Sequence, residues 1–111
     1  MSRNFYDKQE SIKENGKFFL GYGFMDILNL EKGSKVSLLP VKDIVIIFNA
    51  DEEDGFEEQG FIVTINEKGE IALPDELMKM MGWKVKDLIK TQHIYHYIGY
   101  LRYKKKEAYN E

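Results

Sequence analysis

The sequence contains no cysteine, which excludes a disulfide framework, thiolate zinc sites, iron–sulfur ligation and a thiol nucleophile. That absence accords with a reducing compartment, and a cytoplasmic location is expected. Long apolar runs are missing as well. The longest spans residues 44–48, far short of the roughly 20 residues a membrane helix needs. The opening residues Met1-Ser2-Arg3-Asn4-Phe5-Tyr6-Asp7 carry no apolar core of the kind a secretory signal requires. A soluble, unexported chain without membrane contact is therefore expected. Proline is scarce, with two in 111 residues, while 43% of the chain is hydrophobic and 14% aromatic. Such a composition builds a core and is unlike that of a disordered chain. The length suits one compact domain or two very small ones. An excess of positive charge is the last absence: 16 basic residues face 19 acidic ones, for a formal charge of −3. Nucleic-acid-binding domains ordinarily carry a basic excess, so the overall charge argues against DNA as a partner.

Among the features present, the densest charge run is Asp51-Glu52-Glu53-Asp54-Gly55-Phe56-Glu57-Glu58. Six carboxylates in eight residues repel one another and bury little, which reads as a solvated linker. The alternating oxygen ligands of a calcium loop are absent. Comparing the two sides of this run at a constant offset of 53 positions reveals an internal repeat. Ser11-Ile12-Lys13-Glu14-Asn15-Gly16-Lys17-Phe18-Phe19-Leu20 lies over Thr64-Ile65-Asn66-Glu67-Lys68-Gly69-Glu70-Ile71-Ala72-Leu73 without a gap. Ile, Glu, Gly and Leu coincide. The same offset carries Phe24-Met25 onto Leu77-Met78, Leu30 onto Trp83, Val36 onto Ile89, Ile44-Val45 onto Tyr97-Ile98 and Phe48 onto Leu101. The chain divides into a degenerate first repeat at residues 1–50, an acidic linker at 51–59, a second repeat at 60–104 and a polar tail at 105–111.

Each repeat reads as strand, tight turn, strand, short helix and hairpin. In the second, the β-branched run Phe61-Ile62-Val63-Thr64-Ile65 precedes the turn Glu67-Lys68-Gly69 and the short strand Ile71-Ala72-Leu73. Pro74 then opens a helix, Asp75 and Glu76 suit the positive end of its dipole, and Gly82 stops it. In the first, residues 35–39 and 44–48 form a hairpin joined at Pro40-Val41-Lys42-Asp43, and Gly21-Tyr22-Gly23 weakens the helix start. About 50 residues cannot bury a sufficient core, so the two repeats must complete each other.

The stretch Val63-Thr64-Ile65-Asn66-Glu67-Lys68-Gly69-Glu70-Ile71-Ala72-Leu73-Pro74-Asp75-Glu76-Leu77, followed by Met81-Gly82-Trp83-Lys84-Val85-Lys86-Asp87, resembles the SpoVT/AbrB domain of bacterial transition-state regulators and MazE-type antitoxins. The likeness covers roughly residues 60–104. The first repeat keeps the glycine, the apolar triplet and Leu30-Glu31-Lys32-Gly33-Ser34-Lys35-Val36, but has Gly21 where the family has proline. The resemblance implies a mainly β fold with short helices, a swapped-hairpin (double-split) AbrB-like β-barrel formed here from two tandem repeats, as in MraZ-type proteins. It also implies a transcriptional regulator that binds DNA as an intrachain pseudo-dimer or as a dimer of such units. Lys13, Lys17, Lys68 and Lys79 occupy the positions where the family contacts phosphate.

The sequence departs from the family where DNA contacts are made. Glu70 stands where an arginine follows the turn glycine, and the second repeat keeps only Lys79 on its helix. A second reading follows, an antitoxin-like or inhibitory protein-interaction module that has lost DNA binding and meets a basic partner through its acidic residues. The first 55 residues hold seven basic and ten acidic residues and the remainder nine of each, so neither half is basic. Arg102-Tyr103-Lys104-Lys105-Lys106 reads as a solvated terminus. His93 and His96, three apart in a strand, point to opposite faces and are expected at a hairpin tip with Ile94 and Tyr95 exposed, not at a metal. Tyr95, Tyr97, Tyr100 and Tyr103 read as strand packing, and Met78, Met80 and Met81 as including the inward face of the helix or, alternatively, as an adaptable contact surface. No catalytic constellation, cofactor or metal site is expected, and the protein is not read as an enzyme.

Overall fold

The computed structural model describes residues 7–51, 60–95 and 98–103. The acidic segment from residue 52, His96, Tyr97, Lys104 and the tail 105–111 lie outside the described residues. The fold is mainly β. In chain order it contains β1 (Asp7–Ser11), β2 (Lys17–Phe19), α1 (Tyr22–Ile27), β3 (Lys35–Val41), β4 (Ile44–Asn49), β5 (Phe61–Thr64), β6 (Glu70–Ala72), α2 (Asp75–Met81), β7 (Leu88–Tyr95) and β8 (Ile98–Tyr103). None of the described helices is long and apolar enough to cross a membrane.

Six strands form one antiparallel sheet in the order β1-β7-β8-β4-β3-β5, and β2 pairs with β6 in a separate two-stranded ribbon. β1 and β5 are the two edges, so the sheet is open. The closed barrel expected from the sequence is not formed by backbone pairing among the described residues. Strands nonetheless pair across the halves. β5 of the second half pairs with β3 of the first, and β1 of the first pairs with β7 of the second.

The pairing scheme is unchanged when the halves are interchanged. An offset of 53 turns β2 into the β6 range, and the pair Phe18↔Ile71 lies on the axis of interchange. The same offset turns the pair Lys35↔Thr64 into Leu88↔Ser11. Hydrogen bonds outside the strands follow suit: Ile12 N donates to Asp87 O at 2.9 Å, and Ile65 N to Ser34 O at 3.0 Å. At the last strand the offset is 54, because β4 superposes by register on β8 only with one added residue. A bulge between His93 and Tyr95 absorbs that residue. The sequence alignment of Phe48 with Leu101 is corrected accordingly. A slip of one residue would turn every side chain to the other face, and it is Gly99 and Leu101 that are buried like Val45 and Ile47.

Two hairpin tips also differ from the sequence reading. β3 runs through Pro40 and Val41, leaving only Lys42 and Asp43 at the tip. Proline is tolerated there because pairing with β5 ends at Leu38, and among the described residues no further partner strand needs its missing N–H. His93 lies within β7 opposite Gly99, and β7 continues to Tyr95. The side chains of Ile94 and Tyr95 lie outside the described residues.

One core is shared between the halves. Ile12, Phe18, Leu20, Phe24, Leu30, Val36 and Ile47 of the first half are buried with Ile65, Ile71, Leu73, Leu77, Trp83, Ile89 and Leu101 of the second. The short helices lie across the sheet, with Phe24 and Leu77 fully buried. Burying a side chain of this size contributes roughly 1.5–3 kcal/mol, and most of that contact exists only when both halves are present.

Candidate nucleic-acid interface

The β2–β6 ribbon and its two flanking turns hold three of the four lysines singled out from the sequence. Both turns use one backbone plan. Lys13 N donates to Lys17 O at 2.8 Å and Asn66 N to Glu70 O at 2.9 Å, while Leu73 N donates to Gly16 O and Leu20 N to Gly69 O. Gly16 and Gly69 have φ of 74° and 79°, the left-handed region that glycine enters without strain. A Cβ at Gly16 would also lie 2.9 Å from the carbonyl oxygen of Leu73.

The side chains break this symmetry. Asn66 bends its own turn, since its Oδ1 accepts from Lys68 N and Glu70 N, both at 2.9 Å. Its Nδ2 donates to Glu70 Oε1 at 3.1 Å. Lys13 occupies the equivalent place in the first half and extends across the ribbon to Glu70 Oε2 at 2.6 Å. Both carboxylate oxygens of Glu70 are thus occupied, and its side chain is only 7% exposed. The Lys13 ammonium holds the Glu70 carboxyl below the usual range, the Asn66 amide adds to that, burial opposes it, and the Lys17 charge contributes last. Glu70 is therefore an internal anchor between the halves.

Lys13 and Lys17 are both exposed, and the charges of both favour the ionised form of Glu70, Lys13 by direct contact and Lys17 more weakly. Lys8 also reaches the ribbon, with its Nζ 5.4 Å from the centre of the Phe19 ring and 3.4 Å from Glu10 Oε2. Lys68 stands exposed in the turn whose glycine faces Phe19, Tyr22 and Met25. Lys79 lies exposed on α2, where its carbonyl accepts from Gly82 N, and takes no part in the Lys13–Glu70 contact.

A second basic cluster was not singled out from the sequence. An open cleft of about 810 Å³ lies between the end of α2, the Lys42-Asp43 tip and β7–β8, and its lining includes Lys42, Lys84, Lys90 and Arg102. Its counterpart at the end of α1 measures about 400 Å³ and is lined, among the described residues, by Asp26, Glu31 and Asp51 with no cation. The two are built alike. Glu31 N donates to Ser34 Oγ at 3.0 Å and Lys84 N to Asp87 Oδ2 at 2.8 Å, one hydrogen bond at equivalent positions. Reading charge along the repeat offset would have exposed this reversal, because Glu31 aligns with Lys84 and Asp26 with Lys79. Among the described residues no three of His, Asp or Glu gather to hold a metal ion.

No protein-family model matches the chain, and no curated protein does. Among solved structures, the solution structure of PHS018 from Pyrococcus horikoshii is similar, with a TM-score of 0.50 over 91% of this chain and 95% of that one. At 18% identity the likeness concerns fold.

Proposed function

We propose that this chain is a tandem AbrB-like swapped-hairpin barrel that binds DNA as an intrachain pseudo-dimer and acts as a transcriptional regulator. The pairing of β1 with β7 and of β5 with β3 across the halves, and the ribbon at their axis, support the barrel reading, with the open sheet and the ribbon as its two walls. The observation that carries the DNA reading is the exposure of Lys13 and Lys17 at that ribbon, where the family resemblance puts phosphate contacts. Each phosphate neutralised changes log K by roughly −0.9 per log unit of salt. Purified protein is expected to shift duplex fragments at low ionic strength and to release them as salt rises. Absence of any salt-sensitive shift sinks the proposal.

A protein-interaction module is the second reading, and one observation favours it. Glu70 already engages Lys13 at 2.6 Å, which removes part of one of the two axial cations from any phosphate. A barrel that shifts no duplex belongs to this reading.

A further inference from the structure

We infer that the cleft at the end of α2 is a binding site for the phosphate backbone of nucleic acid, contacted through Lys42, Lys84, Lys90 and Arg102. This rests on the DNA reading above and adds a second set of contacts to those of the ribbon. Among the described residues four cations line the cleft against two carboxylates, and both carboxylates already have partners. Asp87 accepts from Lys84 N at 2.8 Å, and Asp43 lies 3.4 Å from Arg102 Nη1.

The strand register strengthens the assignment. Lys90 and Arg102 are directly opposite across β7 and β8, and like charges so placed destabilise a sheet. The equivalent pair in the first half is Ser37 and Phe48, so the fold does not require charge at these positions. Asp43 already partners Arg102, and an anion in the cleft would further offset the charge of Lys90. The end of α2 would ordinarily oppose an anion through its exposed carbonyls. Here the carbonyls of Met78 and Lys79 accept from Trp83 N and Gly82 N, which blunts that opposition. Tyr103, 40% exposed, lines the same cleft and offers a ring on which a base can stack.

The test is fluorescence anisotropy with a labelled mixed-sequence duplex over a salt series, using the full chain. The four cleft contacts are expected to contribute about −3 to −4 to the wild-type slope of log K against log salt. Lys84→Ala with Lys90→Ala should flatten it by roughly 2 units and weaken low-salt binding at least about tenfold. Lys13→Ala with Lys17→Ala should change the slope less. Thermal melts of both variants check that the fold is kept, and Lys42→Ala gives an independent single-site reading at the tip. If the Lys84/Lys90 variant binds like wild type while the Lys13/Lys17 variant does not, the cleft assignment is overturned and the DNA reading stands. If wild type binds no duplex, both fall. Salt-sensitive self-association without DNA, abolished by the same Lys84/Lys90 variant, would also overturn the assignment in favour of a second copy presenting its acidic end.

Discussion

The two halves follow one backbone plan yet differ wherever a side chain meets the axis or the solvent. Phe24 and Leu77 are equivalent helix residues, both fully buried, but the larger ring demands space. Gly99 supplies it: a Cβ there would lie 2.6 Å from Phe24 Cζ, whereas the equivalent strand position in the first half is Val45. At the turns, Asn66 serves its own loop while Lys13 spans the ribbon to Glu70. At the helix ends one cleft is acidic and the other basic. A backbone fixed by pairing thus tolerates divergence in charge freely, and in volume only when the other half compensates.

Transplanting residues from one half to the other breaks this comparison by degrees. The largest effect is expected from Gly99→Val, which installs the residue of Val45 against Phe24. Overpacking of this kind costs about 1–3 kcal/mol, read from the urea midpoint. Adding Phe24→Leu, the residue of Leu77, should recover part of the loss, and a strictly additive double variant would show that the two do not share one space.

Lys13→Asn, the residue of Asn66, comes next. It leaves Glu70 buried with one partner fewer and should cost about 1 kcal/mol, because Lys13 itself is half exposed. The Glu70 carboxyl is lowered in the folded state. Its stabilisation is therefore fully present above the unfolded carboxylate value of about 4.3 and is lost as pH falls through the lower folded value. Glu70→Gln should remove that part of the acid dependence while leaving the neutral-pH fold intact. An unchanged acid limb in urea melts would refute the anchor role.

The smallest change in stability is expected from Asp26→Lys with Glu31→Lys, which gives the acidic cleft the charge of its counterpart. Both residues are exposed, so stability should move by no more than about 0.5 kcal/mol. The salt slope for duplex binding should steepen, because the second end now offers phosphate contacts. A slope identical to wild type would show that charge at a helix end does not suffice to make a binding surface.

Much of the backbone was legible in the residues. The turn glycines, Pro74, Gly82 and the apolar spacing gave the order of strands and helix in each half and located the second half's first two strands and helix and the first half's hairpin, because each is a local signal of conformation or burial. The hairpin tips were misplaced, since Pro40 inside a strand is acceptable only where pairing stops, and pairing is a property of the sheet. The role of Glu70 was hidden too. Its partner Lys13 is 57 positions away, and nothing local distinguishes an anchored glutamate from a solvated one.

The sequence alone determined the order of elements, the offset relating the halves, the absence of thiol chemistry and the modest negative charge, because all of these reside in composition and short-range pattern. Only the tertiary structure decided which charges act together. It seated Glu70 between Lys13 and Asn66, left the six-stranded sheet open at β1 and β5, and gathered Lys42, Lys84, Lys90 and Arg102 in one cleft. Long-range strand register sets those neighbours, and electrostatic interaction depends on distance in space, whatever the separation along the chain.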